Sequence, residues 1–254
     1  MTRRHASAAI VAFVAVTILG GACTRSSVDA PDVSAAQARH EVAHLFLERS
    51  LAKATDGGWY RTLDEMLPNV SYARATGEVV GGVATHVVLG EIVDVRRGKG
   101  FRVTNGDAPA GIPVDFGDSR ARWWTAHATV KVERGLASST PKEIEVVFPS
   151  YGPAGFATMR AGLESLGRVV LFLRDDSMVT AYDRDLFWVI EEDGMAVARV
   201  AADGTLHMDL MPEHRGHELL AATPTLRDLE AKAAAPRVVQ MVGAYPHETR
   251  ADGL

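Results

Sequence analysis

Between residues 78 and 210 the chain alternates apolar and polar positions in short runs, the period of strands half-buried against a core. In 85–95 the odd positions Val87, Leu89, Val93 and Val95 are apolar. In 124–133, Trp124, Ala126, Ala128, Val130 and Val132 share one face, and Thr125, His127, Thr129, Lys131 and Glu133 share the other. Ile144, Val146 and Phe148 repeat the pattern, whereas Val169-Val170-Leu171-Phe172-Leu173 is apolar throughout, as a strand covered on both faces must be. Segments 187–190, 195–200 and 205–208 read as short strands separated by Asp193-Gly194 and Asp203-Gly204. Asp-Gly between apolar runs predicts hairpins, and hence a three-stranded meander. Many short strands with one interruption, at 156–166, predict a small closed or nearly closed barrel.

The period is helical on both flanks. From 32 to 53, Asp32 or Ser34 can cap the start, Val42, Leu45 and Phe46 recur on one side, and Asp56-Gly57-Gly58 ends the run. A shorter stretch, 62–67, stops before Pro68. Helical spacing returns in 212–222 and 225–234, with Thr223-Pro224 supplying a cap and a first-turn proline. The expected organisation is a helical segment over 33–67, a β-barrel domain over 70–210, two short C-terminal helices over 211–235 and a flexible tail over 236–254. The expected class is mainly β (α+β). The longest irregular connection, 104–120, carries Gly106, Pro109, Gly111, Pro113 and Gly117, and its length points to function or mobility.

The first 22 residues follow another logic. Arg3-Arg4 form a basic head, 8–19 is apolar, and Gly20-Gly21-Ala22 precede Cys23. A 12-residue apolar run is too short to span a bilayer, which needs about 20 residues; with these flanks it reads as a signal peptide over 1–22. Three small residues before the chain's single Cys resemble the lipobox of bacterial lipoproteins, with Leu19 one place before the family's usual position. That resemblance implies lipidation of Cys23, a tether over 23–32, and an exported protein held on the outer face of the cytoplasmic membrane, or secreted if the lipid is not added. A single Cys also allows no intramolecular disulfide, so the fold must rest on its core.

The β region carries a second resemblance. Thr85-His86-Val87-Val88-Leu89-Gly90-Glu91-Ile92-Val93-Asp94-Val95, His127-Ala128-Thr129-Val130-Lys131-Val132-Glu133 and Gly167-Arg168-Val169-Val170-Leu171-Phe172-Leu173 resemble a group of uncharacterised exported actinobacterial lipoproteins. More distantly the order is similar to OB-like barrels of the netrin and metalloprotease-inhibitor type. These are core and turn residues, so the resemblance implies a fold and little about function.

Charge narrows the partners. The chain has 27 Lys plus Arg against 32 Asp plus Glu; without Arg3 and Arg4 the balance is 25 against 32. An acidic chain lacks the basic face of a nucleic-acid binder. The expected partners are the membrane, through the anchor, and an unidentified envelope protein or small ligand.

The sharpest chemical motif is His40-Glu41-Val42-Ala43-His44, an H-E-x-x-H on the first helix. Histidines four apart project from one helix face and can share a zinc ion, with Glu41 activating a bound water. A chance match arises about 0.02 times per chain of this composition, and the third ligand is missing from the extended pattern. Ser50 stands where His belongs and Leu47 where Gly belongs; Glu65 is the one well-spaced acidic candidate. The favoured reading packs His40 and His44 beside an apolar stripe of Ala36, Ala43, Leu47 and Leu51, with no cofactor; the alternative is a zinc-dependent hydrolase, a peptidase, using His40, His44, Glu65 and Glu41.

Other groups are looser. His207, His214 and His217 read as surface residues, and Asp107, Asp115 and Asp118 lack calcium-loop spacing. His86 and His127 fall on polar strand faces. Trp123, Thr125, His127 and Thr129 form a candidate binding surface, with one of the adjacent Trp123 and Trp124 rings expected inside and one at the rim. The function expected is a non-catalytic envelope binding module.

Overall fold

The computed structural model describes residues 35–53, 62–73, 79–80, 84–102, 112–150, 152–175, 186–189, 194–236 and 238–241. The signal segment, Cys23 and its tether, and positions 103–111 and 242–254 lie outside them. In chain order the elements begin with helix α1 (Ala35–Lys53), a 3-10 turn (Leu63–Met66) and strands β1 (Val70–Ala73) and β2 (Val79–Val80). There follow β3 (His86–Arg102), β4 (Ile112–Val114), β5 (Trp123–Gly135), β6 (Glu143–Ser150) and helix α2 (Gly152–Glu164). The remainder comprises β7 (Arg168–Arg174), β8 (Phe187–Val189), β9 (Val197–Val200), β10 (Leu206–His207), α3 (Glu213–Leu220), α4 (Leu226–Ala233) and β11 (Val238–Met241). The class is α+β, with a mainly antiparallel sheet and four α-helices among the described residues.

β3 organises the larger sheet. His86–Glu91 pair with β7 on one edge, while positions 88–101 pair with β5 on the other. Seventeen residues could not stay flat through both partnerships, and the β3–β5 register shifts at Leu89/Gly90, Ile92/Asp94 and Arg97/Gly100. Gly90 is required at the first: a β carbon there would lie 2.5 Å from the Lys131 carbonyl oxygen.

Two cores follow from two-sided burial. Val169, Leu171 and Leu173 join Val88, Ile92, Val95, Ala126, Ala128, Val130, Ile144, Val146 and Phe148 in one core, covered by Phe156, Met159 and Leu163 of α2. Val170 and Phe172, on the other face of β7, join Val87, Leu89, Ala198 and Val200 under Leu63, Met66, Met208, Met211, Leu219 and Leu229. The continuous apolar run 169–173 thus serves both layers, as its pattern requires.

α1 docks on α2; of the expected stripe, the Leu47 and Leu51 side chains lie outside the described residues. Ala38, Val42 and Phe46 are buried, together with Ala43, whereas Ala36 is exposed. Val42 sits where a Gly162 β carbon would overlap its Cγ2, and the Ala38 carbonyl oxygen would lie 3.1 Å from that carbon. A small residue on α2 therefore sets α1's rotation.

Four further expectations change, while a fifth holds. The Asp203-Gly204 hairpin forms, with Gly204 at φ +85° and Leu206 opposite Val200. The Asp193-Gly194 hairpin does not: β8 and β9 share one edge of β7, at Leu173–Arg174 and Val169–Leu171, instead of pairing together. Within the 104–120 connection, Ile112–Val114 is β4, paired antiparallel to the end of β3. The expected tail contains β11, parallel to β1. Asn69 Nδ2 donates to the carbonyl oxygens of Lys232 (2.9 Å) and Ala235 (3.0 Å), holding the end of α4 beside β1 so that the chain beyond it meets that strand. The cap of α4 is Thr225, in a capping box with Asp228, two residues beyond the expected Thr223.

Candidate functional site

With Val42 and Phe46 turned inward, α1 presents His40 and His44 outward. Both are exposed, and their rings lie 4.9 Å apart, centroid to centroid, at 89°. Glu41 sits on the flank, its Oε1 accepting a hydrogen bond from Gln37 Nε2 at 3.1 Å. The imidazoles, with Ala36, Arg39 and Ala43, form one wall of a cleft of about 480 Å³; Asp209, Met211, Pro212 and Glu213 form the other. A second cleft of about 550 Å³ lies beside it, lined by His207, Met208, Gly216, His217 and Leu220. Asp209, Met211 and Glu213 border both.

Asp209 joins the two walls. It receives Arg39 Nε at 3.1 Å and also pairs with Arg199 of β9. Arg39 Nη1 donates at 3.1 Å to the Ser165 carbonyl oxygen just after α2. All three charged side chains are only 20–25% exposed, so the carboxylate is committed to two guanidinium groups. Glu213, in the first turn of α3, is exposed.

The zinc set is not assembled as the sequence framed it. Glu65 lies in the 3-10 turn and does not line the cleft. Among the described residues no three His, Cys, Asp or Glu side chains stand close enough to hold one metal ion together. Of the second histidine group, His207 and His217 line the neighbouring cleft and His214 does not. Asp118 is taken by Arg120, which bonds both carboxylate oxygens (3.0 and 2.6 Å) and holds its pKa down at about 2.

The β5 surface differs from expectation. Thr125 is fully buried, His127 is 8% exposed, and Trp123 and Thr129 are half-buried. The cause is the third register shift, where Gly98 and Lys99 oppose Thr125. The Thr125 hydroxyl accepts from Lys99 N (3.0 Å) and lies 3.3 Å from the Lys99 carbonyl oxygen, to which it donates, closing the bulge over itself. His127 Nδ1 pairs with Glu145 of β6, which also binds Arg96. Burial pushes the His127 imidazole below its ordinary value; the Glu145 contact pulls it back, while the charges of Arg96 and Lys99 lower it further. The expected exposed patch is therefore a packed polar layer. Trp123 stacks flat on Phe101 (3.8 Å, 8°), and Trp124, packed against the first core, donates its indole N–H to the Phe116 carbonyl oxygen at 2.9 Å.

Sequence reasoning passed over Arg39, Arg199 and Asp209. The one local signal was a charged residue inside Met208-Asp209-Leu210-Met211, where burial of the neighbours demands a partner for the carboxylate. No protein-family profile, curated protein or solved structure matches this chain.

Proposed function

We propose that this chain is an exported, lipid-anchored binding protein of the cell envelope, built on an OB-like barrel, with its ligand seat in two neighbouring clefts, one between α1 and residues 209–213 and one lined by residues 205–224. The observation that carries the reading is that the two clefts share Asp209, Met211 and Glu213 along their borders. Together they offer an apolar floor of Met208, Met211 and Leu220 and a polar rim of histidines and carboxylates, the mixture ligand sites use.

Strand pairing supports the barrel. β3 pairs with β5, β5 with β6, β6 with β8 in parallel, β8 with β7, and β7 again with β3. That circuit, with α2 between the third and fourth of its strands and over its core, favours an OB-like reading over a plain open sheet. Address and anchor rest on the Arg3-Arg4 head, the 8–19 apolar run and Cys23 after three small residues. Among the described residues no helix is long and apolar enough to cross a membrane.

The reading assigns no catalytic step. Glu41 bonds along its own helix, and Asp209 is neutralised by two arginines, so neither is placed as the base of a hydrolase. The test is photocrosslinking in the producing cell, with a reactive side chain installed singly at 40, 217 or 93. A common crosslinked envelope species from 40 and 217, and none from exposed Val93 on β3, is the expected result. Equal products from all three positions contradict a cleft-seated ligand.

A further inference from the structure

We propose that His40 and His44 form a two-point binding site for a borderline divalent transition cation, Zn(II), Ni(II) or Cu(II). This goes beyond the binding-protein reading and stands or falls separately from it.

Ring spacing is the first argument. A metal–nitrogen bond of about 2.0–2.1 Å puts each imidazole centroid about 3.2 Å from the ion. Ligand angles between octahedral and tetrahedral then separate two centroids by about 4.5–5.2 Å. The observed 4.9 Å, with the rings at 89°, falls inside that interval, a separation that chelation allows.

Orientation and charge agree. The burial of Ala38, Val42 and Phe46 against α2 fixes the rotation of α1, which turns both imidazoles into the cleft instead of the core. Imidazole nitrogens are the donor type that zinc, nickel and copper take and that calcium and magnesium do not. The charged groups lining the cleft are Arg39, Asp209 and Glu213; Asp209 is held by Arg39 and Arg199, which leaves Glu213 as the carboxylate that faces the ion. Water completes the coordination sphere, and Glu213 acts through its charge from the opposite wall.

The experiment is calorimetric titration of the full chain in detergent with Ni(II) and with Zn(II) at pH 7.5. One equivalent is expected to bind. His40→Ala and His44→Ala should each weaken binding at least tenfold, because a chelate loses most of its advantage with either arm. The His207→Ala/His217→Ala double variant, which removes the imidazoles of the neighbouring cleft, should bind within twofold of the parent. All four positions lie outside the cores, and alanine favours helix at 40 and 44, so the variants retain the fold, checked by circular dichroism. The electron paramagnetic resonance spectrum of the Cu(II) form should show hyperfine coupling to two imidazole nitrogens, reduced to one in either single variant. No saturable binding by the parent overturns the site, as does undiminished binding in His40→Ala, or loss confined to the 207/217 double variant.

Discussion

Gly98 lies against the His127 imidazole so closely that a β carbon at Gly98 would fall 2.6 Å from Cδ2 and 2.8 Å from Nε2. The bulge in β3 brings a bare backbone over a buried ring, and the absence of a side chain is what permits it. Gly98→Ala must move either the ring from Glu145 or the bulge from Thr125. The expected cost is about 1–3 kcal/mol of overpacking, partly offset by the lower chain entropy of alanine in the unfolded state. Chemical denaturation measures it; a stability equal to the parent's means that the bulge is not tight.

His127 also sets a pH dependence. Its pKa is lowered in the folded chain, chiefly by burial, from an ordinary 6.5. Between the lowered value and 6.5 the unfolded chain binds more protons than the folded one, so stability rises with pH across that window. This contribution is complete above 6.5 and is lost as pH falls below it. The urea midpoint should drop between pH 7.5 and pH 5.5 more in the parent than in His127→Gln. A larger drop in the variant contradicts this sign.

The α1–α2 contact predicts a coupled pair. Gly162→Ala places a methyl group where Val42 Cγ2 now lies, and should destabilise by about 1–3 kcal/mol. Val42→Ala alone should cost about 1–3 kcal/mol through lost burial. Together they should cost clearly less than the sum, because the smaller partner makes room for the added methyl. Strict additivity in the double-mutant cycle argues against this docking.

Asp209→Asn removes the charge that Arg39 and Arg199 share. Two partly buried guanidinium groups then lose their counterion, at an expected cost of about 1–3 kcal/mol. Hydrogen exchange should accelerate in α1 around residues 38–46 before it accelerates in β7. Unchanged exchange in α1 contradicts the role of this carboxylate in holding the cleft walls together.

Much of the β body was legible because its signals are local. The apolar run at 169–173 announced burial on two faces, and it contributes to both cores. Asp203-Gly204 announced a hairpin that forms, since nothing competes for β9 and β10 there. At Asp193-Gly194 the same dipeptide failed because both flanking strands found the edge of β7, a partner remote in sequence. β11 was unreadable for the same reason, its partner β1 lying far back along the chain. Alternation placed Thr125 and His127 on the face opposite Ala126 and Ala128, but it carries no information about the bulge and Glu145 that close over them. The histidine motif was visible in sequence, whereas its direction was not. Gly162 decides that, and the cleft's second wall comes from residues 209–213.

The most direct test of the envelope-protein account is the intact mass and N-terminal sequence of the chain recovered from its producing cell. The account predicts a protein in the membrane fraction that begins at Cys23 and carries a thioether-linked diacylglycerol, released to the soluble fraction by Cys23→Ser. A chain that keeps Met1, or one whose Cys23 is unmodified in a soluble fraction, contradicts it.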